Sequence, residues 1–187
     1  MDNIYLQKVL EGDVSKFSFF IEKYGDMAFS IAFRIINNRE DAEEIVQDSF
    51  LKVFKALSKF KRDSKFSTWF YRIVVNNSLS RLKRDKAVST YVDVDKVSNV
   101  VIEKVESVYK GLTHSDQQKF INIALVEMSV EDRLLLTLYY LNENTLEEIT
   151  EITDIAQENL KMKIHRARKK MFIILEKTLK SEIQNLL

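Results

Sequence analysis

Residues 41–84, DAEEIVQDSFLKVFKALSKFKRDSKFSTWFYRIVVNNSLSRLKR, contain the pattern from which we infer the fold. Apolar residues recur in it at spacings of three and four on both sides of a short polar segment, and this is the period of an amphipathic helix. The pattern predicts a helix from about Arg39 to Ser58, a loop over Lys61 to Lys65 and a helix from about Ser67 to Lys83. Two helices joined by a polar loop therefore form the centre of the predicted structure.

Helical periodicity continues on both sides of this stretch. Upstream it predicts a helix over Phe17 to Asn37; downstream it weakens from Ala87 to about Asp116, where we expect a linker with a short helix around Val100 to Tyr109. Further helices are predicted over Phe120 to Met128, over Val130 to Leu141 with Ser129 as N-cap, over Leu146 to Ile152, and from near Ala156 onward. We therefore expect an all-α protein of two small helical domains, residues 1–86 and 119–187, joined by a flexible linker over 87–118.

Composition limits the classes of function. Pro is absent and Gly occurs 3 times, as expected of helices joined by short turns. Cys is absent, and the two histidines, His114 and His165, are far apart, so we expect no metal, no cofactor and no enzyme. Because no apolar run is long enough to span a bilayer and the start does not resemble a signal peptide, we expect a cytoplasmic protein without membrane insertion.

Charge is distributed unevenly along the chain. Residues 61–86 carry 8 basic and 2 acidic side chains, residues 121–160 carry 1 and 9, and residues 161–187 carry 8 and 2. A basic segment is usually a solvated face, but here each one lies beside a recognisable helical motif. The two basic segments are therefore candidates for contact with nucleic acid.

The segment from Leu146 to Lys170 has the pattern of a helix-turn-helix. In that motif the second helix lies in the major groove, where early polar residues meet base edges and later basic residues meet phosphates. Lys161, Lys163, Arg166 and Arg168 suit the second role. An ordinary helical hairpin with a solvated basic face is the alternative that the periodicity leaves open.

The segment from Lys61 to Arg84 interleaves aromatic and basic residues, a combination that holds single-stranded nucleic acid. Trp69 is more simply explained as a core residue because of its helical spacing, whereas Lys65 and Phe66 are expected in the loop and free to meet DNA. On the preceding helix, Asp41, Glu44 and Asp48 share one face opposite the apolar stripe. Solvation or docking of a basic partner explains them better than catalysis does.

These segments resemble a known family. DAEEIVQDSFLKVFKAL (Asp41 to Leu57) and FKRDSKFSTWFYRIVVNNSLSRLKR (Phe60 to Arg84) resemble region 2 of the extracytoplasmic-function sigma factors. EMSVEDRLLLTLYYLNENTLEEITEITDIAQENLKMKIHRARKKM (Glu127 to Met171) resembles their region 4. The resemblance implies a factor that binds core RNA polymerase and directs promoter recognition and DNA melting. Core RNA polymerase, promoter DNA and an anti-sigma factor are the implied partners.

The resemblance also assigns roles to residues. Polymerase binding falls on Asp41, Glu43, Glu44, Gln47 and Asp48. Binding of the minus-ten element falls on Lys61, Arg62, Ser64, Lys65, Phe66, Ser67, Trp69, Tyr71, Arg72, Asn76, Asn77, Ser80, Arg81 and Arg84. Binding of the minus-thirty-five element falls on Gln157, Glu158, Asn159, Lys161, Met162, Lys163, His165, Arg166, Arg168 and Lys169.

The chain departs from the family pattern at the turn of the helix-turn-helix, where Asp154 stands in place of the usual Gly. We expect Asp154 to adopt the left-handed conformation that this turn requires. Two alternatives to sigma activity remain open at this point: a free-standing helix-turn-helix regulator, and a polymerase-binding adaptor. A nucleic-acid-modifying enzyme is disfavoured because the sequence shows no metal cluster and no activated nucleophile.

Overall fold

A computed structural model describes residues 1–85 and 114–185. Every regular element in these two ranges is helical, which confirms the predicted all-α class. Most of the predicted linker, including the short helix predicted over Val100 to Tyr109, lies outside the described residues.

The first range contains four α-helices: α1 (Asp2–Leu10), α2 (Ser18–Ile36), α3 (Arg39–Ala56) and α4 (Phe66–Asp85). Single 3-10 turns cover Val14–Phe17 and Leu57–Lys59. The three predicted helices are confirmed with small shifts at their ends. Helix α1 was not predicted, because it buries only Leu6 and Val9 and so shows no sustained helical period.

Two asparagines separate α2 from α3. Asn37 has φ 56°, in the left-handed region, and its N–H donates to the Phe33 carbonyl at 2.8 Å. Asn38 is the N-cap of α3, and its side-chain oxygen accepts a bond from the Asp41 N–H at 3.1 Å. Asn suits both positions because it tolerates the left-handed conformation and caps helix starts. The short connection places α2 and α3 side by side.

Aromatic rings form the core between α2, α3 and α4. The Phe66 ring centroid lies 4.4 Å from that of Phe20, and the Phe70 centroid lies 4.4 Å from that of Phe50. Phe20 and Phe70 are 0% exposed. This packing fixes the start of α4, and with it the loop that precedes it.

The second range contains α5 (His114–Glu127), α6 (Val130–Leu136), α7 (Leu146–Thr153) and α8 (Gln157–Asn185). The helix predicted over Val130 to Leu141 has the expected extent, but its last turn, Thr137–Leu141, is a π-helix. The Asn142 N–H closes this turn by donating to the Thr137 carbonyl, five residues earlier, at 3.1 Å.

The described residues group into two compact units. Residues 1–85 and 137–157 belong to the first, and residues 114–136 and 158–185 belong to the second. The second unit has a separate apolar core, to which Phe120, Ala124, Leu136, Ala167 and Ile174 contribute.

Candidate nucleic-acid interface

Helix α8 separates a buried stripe from an exposed polar face. Leu160, Ile164 and Ala167 are 0%, 6% and 0% exposed. The exposed residues include most of the predicted base-contacting and phosphate-contacting set: Gln157, Glu158, Asn159, Lys161, Met162, His165, Arg166 and Arg168. The helix therefore presents polar and cationic side chains on its solvent side.

Two of the cations on α8 that were predicted to contact DNA are less accessible to solvent than the others. Lys163 is half-buried and forms an ion pair with Glu131 of α6. Lys169 is half-buried as well. The positive charge open to solvent is therefore concentrated on Lys161, Arg166 and Arg168.

The turn before α8 has the geometry predicted from Asp154. This residue has φ 59° and ψ 16°, in the left-handed region, and its N–H donates to the Thr150 carbonyl at 2.9 Å. Its carboxylate accepts a hydrogen bond from the Arg72 guanidinium of α4 at 2.7 Å. The acid in place of the usual Gly thus has an ion-pair partner.

A capping box begins α7. The Thr145 hydroxyl accepts from the Glu148 N–H at 3.2 Å, and the Glu148 carboxylate accepts from the Thr145 N–H at 2.9 Å. Asn144 donates to the same carboxylate at 3.2 Å. These bonds satisfy N–H groups that the helix start leaves without partners and explain the polar turn before α7.

The loop before α4 exposes Lys61, Arg62 and Lys65, while Ser64 is half-buried. Arg62 has φ 63° and donates to the Gln7 side chain of α1 at 3.2 Å. The unpredicted helix α1 thus helps to hold this loop.

The expectation that Phe66 lies in the loop and is free to meet DNA is wrong. Phe66 is the first residue of α4 and is 3% exposed. Its ring packs between those of Phe20, 4.4 Å away, and Tyr24, 5.5 Å away. Tyr71, another predicted DNA contact, is 4% exposed, and burial raises its pKa. Both rings belong to the core.

Trp69 lies at the border of this core. Its ring stacks on Phe60 with a centroid distance of 4.8 Å and an interplanar angle of 21°. Both side chains are half-buried, as is Ser67. The stacked pair therefore keeps some aromatic surface accessible beside the exposed cations of the loop.

The second half of α4 divides its polar residues between solvent and α3. Asn76, Ser80 and Arg84 are exposed. Asn77 donates to the Ser49 hydroxyl of α3 at 2.7 Å and accepts from Lys52 at 2.6 Å. Two of the predicted minus-ten residues, Asn77 and Arg81, thus contact α3.

Arg81 joins α4 to the acidic face of α3. One guanidinium nitrogen lies 2.5 Å from the Asp41 carboxylate and another lies 3.4 Å from that of Glu44. Asp41 is half-buried, and the other predicted polymerase-binding residues are exposed: Glu43, Glu44, Gln47 and Asp48. Arg39 pairs with Glu43 at 2.9 Å. The face is acidic and accessible, with its first turn tied to α4.

The described ranges contain no candidate metal site and no candidate membrane-spanning helix. Within residues 1–85 and 114–185, no cluster of His, Asp and Glu has the composition of a metal site. No helix within those ranges is long and apolar enough to cross a bilayer.

The comparisons with known proteins match both halves of the chain. Residues 20–88 match the family model of Sigma-70 region 2, and residues 124–171 match that of Sigma-70, region 4. The ECF RNA polymerase sigma-E factor of Salmonella typhimurium is 31% identical over 173 residues, which cover 89% of this chain and 90% of that protein. The ECF RNA polymerase sigma factor SigW of Bacillus subtilis is 28% identical over 175 residues, 87% of this chain and 90% of that protein.

Among solved structures, CnrH in complex with the cytosolic domain of CnrY superposes with a TM-score of 0.63 at 19% identity, covering 94% of this chain and 97% of that chain. The similarity supports the fold.

A chain with these two regions in this order is a sigma factor of RNA polymerase. The relatives narrow the assignment: the chain belongs to the ECF sigma factors, and its function is in transcription initiation. The resemblance predicted from the sequence is confirmed.

Proposed function

We propose that this sigma factor binds core RNA polymerase through the acidic face of α3, the minus-ten element through the start of α4, and the minus-thirty-five element through α8. The arrangement of α8 carries the proposal, because its apolar stripe is buried while its polar and cationic residues face solvent. Domains over residues 1–86 and 119–187, with a linker over 87–118, would hold these surfaces. The protein acts in the cytoplasm and has no enzymatic activity of its own.

The polymerase surface centres on Glu43, Gln47 and Asp48. These residues are exposed on successive turns of α3, so a basic partner can reach them together. Asp41 and Glu44 contribute less to direct binding, because Arg81 already neutralises part of their charge.

The minus-ten surface combines the exposed cations Lys61, Arg62 and Lys65 with the stacked rings of Phe60 and Trp69. Cations bind phosphates, and an accessible aromatic face stacks on an unpaired base. An unstacked promoter base would therefore bind beside Trp69, while the buried rings of α4 hold the helix in place.

The minus-thirty-five surface consists of early polar residues and later cations on α8. Gln157 and Asn159 offer amide groups to base edges, and Arg166 and Arg168 lie further along the helix, where phosphates follow the groove.

An anti-sigma factor is a further proposed partner. The solved complex of the sigma factor RpoE with the anti-sigma factor NepR from Bartonella quintana, which has a TM-score of 0.58 to this chain, supports this partner by similarity of fold.

Run-off transcription with core polymerase of the source organism on a fragmented genomic library tests the proposal. Transcripts that appear only with the protein, from start sites that share two upstream elements, are the expected result. Polymerase binding without transcripts would instead favour an adaptor, and DNA binding without polymerase binding would favour a free-standing regulator.

A charge reversal tests the polymerase surface separately. Asp48→Arg should weaken binding to core polymerase, because it places a cation at the centre of the acidic face. Glu22→Arg is the matched control, since Glu22 is an exposed acid on α2, outside the proposed surface. Equal effects of the two changes on binding would contradict the assignment of α3.

A further inference from the structure

One stripe of α4 is covered by α7. Lys65, directly before α4, and Thr68 and Arg72 of α4 are spaced three and four apart and so lie along one side of the helix and its start. The Lys65 ammonium lies 2.6 Å from the Glu148 carboxylate, and the Arg72 guanidinium lies 2.7 Å from that of Asp154. Thr68, between the two cations, is only 1% exposed. The cations at both ends of the stripe thus have acidic partners on α7 or at its C-cap.

The two acids are held by the local structure of α7. Glu148 belongs to the capping box at its start, and Asp154 is the left-handed C-cap at its end. They are six residues apart, about 9 Å along a helix, while Lys65 and Arg72 are seven apart, about 10.5 Å. The spacings match when α7 runs in the same direction as α4, as the two ion pairs require.

The charge of α7 fits the same arrangement. Its sequence, LEEITEIT, contains three acids and no base. Burial raises the pKa of Glu148, but hydrogen bonds from Lys65 and from the polar turn before α7 outweigh this, so that the pKa lies below its ordinary value. The Glu148 contact also raises the pKa of Lys65. Both groups are therefore charged at neutral pH.

We propose that this stripe of α4 is a shared docking surface, occupied by α7 in the free protein and by the phosphates of promoter DNA in the bound one. The part of this inference that concerns DNA phosphates rests on the proposed function. The carboxylates of Glu148 and Asp154 pair with Lys65 and Arg72, so DNA phosphates bind these two cations only after α7 leaves.

The two ion pairs add only modestly to this contact, which also buries Thr68. The side chains of Lys65 and Arg72 are 72% and 47% exposed, whereas that of Glu148 is 14% exposed. Ion pairs with an exposed partner each shift an equilibrium by about 1.4-fold to 5-fold. Together the two pairs change the ratio of docked to released α7 by about 2-fold to 30-fold. Phosphates can compete with two such carboxylates because DNA presents many phosphates along its backbone and releases condensed counterions when cations bind them.

Near-isosteric neutral variants test the docking. Glu148→Gln keeps a capping-box side chain, and Asp154→Asn keeps a residue that tolerates the left-handed conformation. The matched control is Glu147→Gln with Glu151→Gln, which removes the same charge from α7 at exposed positions without an ion pair to α4. Both double variants raise the net charge equally, so nonspecific attraction to DNA increases equally in each.

Distance measurements report the docking without DNA or polymerase. Because the chain has no Cys, two cysteines at the exposed positions Ser58 and Ala156 can carry spin labels in the full-length protein. The Glu148→Gln, Asp154→Asn variant should shift the distance distribution toward longer distances, with a change of about 2-fold to 30-fold in the population ratio. An unchanged distribution, or the same shift in the control variant, would overturn the docking.

A second measurement tests the shared surface. Single-stranded DNA with a fluorescent label should bind the neutral variant up to about 30-fold more tightly than the control variant, and should lengthen the label distance in the wild type. DNA binding that leaves the label distance unchanged would overturn the proposal, as would equal affinities of the two variants. Absence of DNA binding by all three proteins would contradict the proposed DNA surface, while the distances without DNA would still report the docking.

Discussion

Replacement of Phe66 by Ala separates a core role from a role in DNA binding. The Phe66 ring is 3% exposed, and its centroid lies 4.4 Å from that of Phe20 and 5.5 Å from that of Tyr24. Removal of a buried Phe ring costs about 3–5 kcal/mol, because it forfeits the transfer free energy and leaves a cavity. We expect Phe66→Ala to lower the free energy of unfolding of the first unit by this amount.

The loss is large relative to the stability of a small domain, about 5–15 kcal/mol. Urea denaturation of the full chain measures it, with fluorescence of Trp69, the single tryptophan, as the signal. This signal reports on the unit that contains Phe66. Phe54→Ala is the matched control, because Phe54 is 36% exposed and so should give a smaller loss.

The opposite result would refute the reasoning. A Phe66→Ala protein that unfolds within about 1 kcal/mol of the wild type has not lost a core residue. If such a protein also lost binding of single-stranded DNA, the Phe66 ring would belong to the DNA interface, and the packing described for the start of α4 would be wrong.

Three further predictions concern charged groups. Arg81→Gln and Asp41→Asn should be less than additive in a double-mutant cycle, with a coupling of about 1 kcal/mol in unfolding free energy; additivity would exclude the ion pair. Arg166→Ala with Arg168→Ala should weaken duplex DNA binding across sequences and reduce the slope of its salt dependence by about 2, so an unchanged slope in a salt titration would exclude phosphate contact. Burial raises the pKa of Asp2, but hydrogen bonds from a lysine and a tyrosine of α2 outweigh this and hold the pKa below its ordinary value. Asp2→Asn should therefore be less stable than the wild type at neutral pH, and unfolding curves at a series of pH values should converge as the pH falls through that lowered pKa.

Features set by local chemistry could be predicted from the sequence. Helical periodicity located α2, α3 and α4, and the turn at Asp154 followed from the tolerance of Asp for the left-handed conformation. The exposure of the polar face of α8 followed from the same periodicity. In each case the determining residues lie within one or two helical turns of each other.

Features set by distant partners could not be predicted in this way. The partner of Arg81 is 40 positions away, and the partner of Arg72 is 82 positions away. The sequence alone does not distinguish these paired cations from exposed ones such as Arg84. Phe66 shows the same limit, because a ring at the end of a polar loop looks accessible until the helices that cover it are placed.

The polar contacts between α3 and α4 connect the two proposed surfaces of the first unit. Asn77 bonds to Ser49 and Lys52, and Arg81 bonds to Asp41, one helical turn further along α4. Directional bonds of this kind hold the register of two helices more strictly than apolar packing alone does, because a shift along the axis breaks them. The acidic face of α3 proposed for polymerase and the helix α4 proposed for the minus-ten element therefore keep a fixed register. Binding of α3 to polymerase would thus also position α4 relative to polymerase. Loss of Asn77 or Arg81 should then reduce promoter opening more than it reduces either polymerase binding or DNA binding measured alone.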